Sequence, residues 1–141
     1  MIDLIKAKEE LLCNGYTCVL VKGDDIIFSQ ERGVKPLVAW LDGANDLTDY
    51  CAADKVIGKA TAFLYVLLKV KATYACVISK SALSVLKAHN VKAEYDVLVE
   101  NVINREGDGI CPFEEAVLGC DEPSVAYQII KDKMRQLNIL Q

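Results

Sequence analysis

The sequence predicts an α/β protein in three layers, α/β/α, around a mixed and mostly parallel sheet. Three observations carry this reading. First, β-rich runs alternate with helical periodicity along the middle of the chain, the pattern of βαβ crossovers. Second, Lys22-Gly23-Asp24-Asp25 separates two short β-rich runs with hairpin chemistry, which adds an antiparallel strand. Third, from Ala60 to Leu68 only Thr61 and Tyr65 carry a polar side-chain atom, as expected of a helix covered on nearly all sides.

In chain order, Asp3 to Asn14 sets Leu4, Ile5, Ala7, Leu11 and Leu12 at helical spacing, and Asn14-Gly15 stops the helix. Thr17 to Val21 and Ile26 to Ser29 are the hairpin strands. Between Gly33 and Asp42, Pro36 precedes Leu37, Val38, Trp40 and Leu41, which predicts a loop and a short helix closed by Gly43. The central helix is expected from about Lys55 to Val70, with Asp54 as its N-cap and its carboxylate at the positive end of the helix dipole. On that reading Lys55 and Lys59, four residues apart, share one face near the helix start. Thr73 to Ile78 is almost continuously apolar, as in a strand buried on both faces. Ser79 and Ser81 are placed to cap a helix through Leu83, Val85, Leu86 and His89, ended by Asn90, and Val91 to Tyr95 predicts a short strand. Val97 to Asn104 reads as a helix with Val97, Leu98, Val102 and Ile103 inward, a strand being the alternative. Arg105 to Gly109 is a loop, and Pro112 starts a helix packed down by Phe113, Ala116 and Val117. Glu122-Pro123-Ser124 opens a last amphipathic helix through Ala126, Ile129, Ile130, Met134 and Leu137. Without a repeat or linker, residues 1–141 read as one domain.

A composition of 52% hydrophobic and 26% charged residues describes a globular chain and not a disordered one. A net charge of -4 argues against a surface that coats nucleic acid. The first fourteen residues carry acids and lysines, unlike a signal peptide, and the longest apolar run is too short to span a bilayer. The expectation is a cytoplasmic protein with no membrane or nucleic-acid partner. Its six cysteines (Cys13, Cys18, Cys51, Cys76, Cys111 and Cys120) then read as reduced thiols. No pair has C-x-x-C spacing and His89 is the sole histidine, so neither a metal nor another cofactor is expected. Cys13, Cys18 and Cys76 lie on apolar faces as core residues, Cys51 lies near the start of the central helix, and Cys120 reads as a surface residue. His89 reads as a helix-end residue.

In a parallel sheet, ligands bind at the carboxyl ends of strands against helix N-termini. That edge is expected to collect Asp54, Lys55 and Lys59 from the central helix and Ser79 and Ser81 from the next. One reading gives them an anionic or nucleotide-like ligand; the other makes Asp54 and the serines caps and Lys55 a snorkelling surface lysine. The second candidate is the loop from Asn104 and Arg105 through Gly107 and Gly109 to Cys111 and Pro112. Glycines two apart permit positive φ and close approach to a ligand. Cys111 would occupy the N-cap ahead of Pro112, where the helix dipole favours a thiolate, while Glu114 and Glu115 oppose it. The structural alternative is a tight loop with a half-buried cysteine.

The order of elements resembles the cytidine-deaminase-like fold, and the chain resembles more closely the domain of unknown function 1893 family built on it. The likeness rests on the segments 53–60 (Ala53-Asp54-Lys55-Val56-Ile57-Gly58-Lys59-Ala60) and 104–112. Deaminases of this fold start the buried helix with His- or Cys-x-Glu and the next with Pro-Cys-x-x-Cys. At those places stand Asp54-Lys55-Val56 and Ser79-Lys80-Ser81-Ala82-Leu83, so the zinc ligands and the proton-shuttling glutamate are missing. Cys111-Pro112 falls well beyond the motif's position and inherits no ligand role. The resemblance therefore implies a deaminase-like pocket without zinc-activated water. Two functional readings follow. One is a protein that binds a small nucleotide-like or anionic ligand. The other is a metal-independent enzyme with Cys111 as nucleophile and Asp54 or Lys55 in proton transfer. A structural subunit and a homodimer are both left open.

Overall fold

The computed structural model describes residues 2–31, 33–104 and 106–137. Helix α1 (Ile2–Asn14) leads into the hairpin β1 (Cys18–Lys22) and β2 (Asp25–Ser29), and α2 (Lys35–Asp42) follows. Two crossovers come next: β3 (Cys51–Ile57), α3 (Lys59–Leu68), β4 (Ala72–Ser79), α4 (Lys80–Ala88) and β5 (Lys92–Val99). The short α5 (Pro112–Ala116) and α6 (Pro123–Gln136) complete the described chain.

The sheet order is β2-β1-β3-β4-β5. β1 pairs antiparallel with β2 and β3, whereas β3, β4 and β5 are parallel. Alternation along the strands sends Val19, Val21, Cys51 and Ala53 to one face, where Leu4, Ala7 and Leu11 of α1 cover them. The opposite face carries Cys18, Leu20, Ala52, Ala75 and Ile78 under α2, α3, α4 and α6. The three layers and the mixed sheet match the fold class read from the sequence.

The largest departure concerns the centre of the sheet. Residues 51–57 form β3, so the helix expected from Lys55 begins at Lys59 and ends at Leu68. Asp54 is a strand residue and Gly58 is the N-cap, which corrects the capping role and separates Lys55 from Lys59. The reason is that an apolar strand runs into an apolar helix with only Gly58 between them, so periodicity alone cannot divide them. Likewise, residues 97–99 extend β5 instead of starting a helix. Cys13 is exposed on α1, Cys120 is buried, and Cys51 is buried under α1 away from the helix mouth; each corrects the sequence expectation. No helix among the described residues is long and apolar enough to cross a membrane.

Candidate functional site

The parallel pairing of β3 with β4 brings the N-termini of α3 and α4 to one edge of the sheet. Gly58 meets α3 in extended backbone, and Ser79 caps α4 by accepting from the Ala82 N–H at 3.2 Å. Between the two helix ends lies the side chain of Glu114, only 1% exposed. Its Oε1 accepts from Ser79 Oγ (2.7 Å), Ser81 Oγ (2.9 Å) and the Lys59 N–H (3.3 Å). Its Oε2 accepts from the Val102 N–H at 3.1 Å. A Cβ on Gly58 would lie 2.6 Å from Glu114 Oε2, so the carboxylate reaches this position because residue 58 is glycine.

Beside it, Asp54 projects from β3 into the edge of a cavity of about 530 Å³. Asp54 Oδ2 accepts from the Tyr65 hydroxyl at 2.6 Å and Oδ1 from the Val56 N–H at 3.3 Å. Burial pushes the Asp54 carboxyl up to about 7, and the Tyr65 hydroxyl opposes the rise only in part. Burial, and next the Asp54 charge, hold the Tyr65 hydroxyl well above its ordinary range. Cys18, paired with Asp54 across β1 and β3, has its thiol pushed up by burial and by the Asp54 charge.

The cavity is lined by Asp54, Lys55, Cys111 and Glu114, with Val34 and Phe113 among its apolar walls. Two separately predicted segments thus meet in one place. Lys55 is exposed and borders the same cavity as Asp54. Lys59 lies elsewhere: its buried ammonium donates to the Leu118 carbonyl at 2.7 Å, and with Ser81 it lines a second cavity. Ser79 is buried behind Glu114. Asn104 holds its own loop, its Oδ1 accepting from the Gly107 and Asp108 N–H groups at 2.9 and 3.2 Å. Neither Gly107 nor Gly109 lines the main cavity, and the expectation for Arg105 lies outside the described residues.

Sequence reasoning missed Glu114 as a buried group and Tyr65 as a partner of Asp54. Both left a signal. A tyrosine inside an all-apolar helix needs a partner for its hydroxyl, and Glu114 stands three residues before the inward-facing Val117.

The deaminase resemblance would place zinc between these helix N-termini. The groups found there are two hydroxyls and two main-chain N–H groups converging on one carboxylate. Inward-pointing donors suit an anion and do not fit zinc, which takes lone pairs from thiolate, imidazole or carboxylate. Among the described residues no three His, Cys, Asp or Glu side chains gather as a metal site.

The family described as "Domain of unknown function (DUF1893)" matches residues 6–134. The crystal structure of a DUF1893 family protein from Thermotoga maritima aligns with a TM-score of 0.86 and 29% identity, over 94% of this chain and 90% of that chain. A Thermotoga maritima diaminohydroxyphosphoribosylaminopyrimidine deaminase/5-amino-6-(5-phosphoribosylamino)uracil reductase aligns with a TM-score of 0.43 and 14% identity, over 82% of this chain and 40% of that chain. No curated protein matches the sequence. With nearly its whole length matched, the chain belongs to the DUF1893 family.

Proposed function

We propose that the cavity binds a small, uncharged, nucleobase-like heterocycle through hydrogen-bond donors presented to Asp54. The observation that carries this reading is a buried carboxyl on the cavity wall, held by Tyr65 and Val56 and pushed up to about 7. Such a group changes from donor-and-acceptor to acceptor as it ionises. A cavity of about 530 Å³ suits a ligand of nucleobase or nucleoside size. The buried carboxyls of Asp54 and Glu114 on the cavity wall favour an uncharged ligand over an anionic one. Calorimetric titration of cytosine and of 1,3-dimethyluracil, which has no N–H donor, into wild type and Asp54→Asn tests the reading. Cytosine should bind more tightly than the dimethylated base by about tenfold, one hydrogen bond to a charged acceptor. Asp54→Asn should remove that preference; equal affinities in wild type, or an unchanged preference in the variant, would refute it.

A second reading is supported by Cys111, which shares this cavity with Asp54 and Lys55. There the protein is a metal-independent enzyme, with Cys111 as nucleophile and Asp54 or Lys55 moving the proton.

A further inference from the structure

We infer that Glu114 is a built-in oxyanion: it fills, from within the chain, a site made for a small carboxylate, and thereby keeps anions out of this corner of the cavity. The part about exclusion rests on the uncharged-ligand reading above; the carboxylate site does not. Three separate segments supply the site. The α3 terminus gives the Lys59 N–H, the α4 terminus gives the Ser79 and Ser81 hydroxyls, and the stretch after β5 gives the Val102 N–H. Both carboxylate oxygens are engaged, and the side chain is almost wholly shielded from solvent. Gly58 leaves room for Oε2 where any other residue would place a carbon.

The geometry is that of a bound ligand more than of a packed side chain. Helix N-termini favour negative charge, and here two of them are aimed at the same group. Were Glu114 absent, two main-chain N–H groups and two hydroxyls would face a void, and buried donors without partners are costly. A free anion of matching shape should therefore enter. Acetate has the required shape, since it reproduces the methylene and carboxylate that Glu114→Ala removes.

The experiment is thermal unfolding of wild type, Glu114→Ala and Glu114→Gln in sodium acetate against sodium chloride of equal ionic strength. Glu114→Ala should gain about 5 °C in acetate at ten times its dissociation constant, along a saturable curve. If that variant has no cooperative transition in chloride, acetate should restore one. Wild type should not respond, because the site is full. Glu114→Gln should be less stable than wild type, since its amide nitrogen faces a donor, and should also ignore acetate. The inference is overturned if Glu114→Ala responds no more than wild type, or stays unfolded in both salts. An equal response from the glutamine variant would overturn it as well. None of these outcomes depends on cytosine binding, so failure here is distinguishable from failure of the proposed function.

Discussion

Asp54 concentrates the electrostatics of the molecule in one side chain. In the unfolded chain its carboxyl titrates near 3.8, whereas in the folded protein it is pushed up to about 7. The folded state therefore binds the extra proton between those values. Stability from this group is complete below the unfolded value and is lost as pH rises through the folded one, up to about 4 kcal/mol in all. Asp54→Asn cannot ionise, so its melting temperature relative to wild type should climb between pH 4 and pH 7 and level off above. At the acid end the variant should be about 1 kcal/mol the weaker, for one lost hydrogen bond. A difference that does not vary with pH would show that Asp54 titrates as an exposed carboxyl. At the same scale, the thiols separate the two functional readings. Cys13 is exposed, Cys111 half-buried and Cys18 buried, so exposure alone orders iodoacetamide labelling as Cys13, Cys111, Cys18. Cys111 overtaking Cys13 would require an activated thiol and would favour the enzyme; labelling in the order of exposure favours the binder.

At the scale of elements, what the sequence made legible follows from periodicity and local chemistry. The α4 start was readable because Ser79 caps locally, through the Ala82 N–H. The Cys111-Pro112 helix start was readable because Pro fits only the first turn. β3 was not, since Asp54 and Lys55 inside an otherwise apolar run mimic an N-cap and a first turn. Gly58 alone divides β3 from α3 and so keeps Lys55 and Lys59 on separate elements. Its φ of −92° is open to any residue, so Gly58→Ala should suffer mainly from collision with Glu114, whose Oε2 would lie 2.6 Å from the new Cβ, and less from Val102 Cγ2 at 3.2 Å. The expected loss is about 1–3 kcal/mol, measured by denaturant unfolding. In the Glu114→Ala background the same substitution should cost little, and additive losses would show that the contact is not what constrains residue 58.

For the whole molecule, the site could be read only in pieces. Lys59 and Glu114 are 55 residues apart in sequence, and Tyr65 meets Asp54 across the strand-to-helix turn. Composition, periodicity and turn chemistry place elements, but they do not say which side chain of a distant short helix will be inserted between two others. The sheet order then does the assembling. Parallel β3 and β4 align two helix N-termini, and the chain after β5 returns α5 across them, so Asp54, Cys111 and Glu114 come to border one cavity.

The most direct test of that assembly is the affinity for cytosine measured from pH 5.5 to 8.5 in wild type and Asp54→Asn. As Asp54 ionises with a midpoint near 7, its oxygens become acceptors only, and wild-type affinity for the amino-bearing base should rise by about tenfold and then level off. The asparagine variant should bind weakly at every pH. An affinity for cytosine that is flat across this range, or a rise that persists in the variant, would contradict the assignment of Asp54 as the ligand-recognising group.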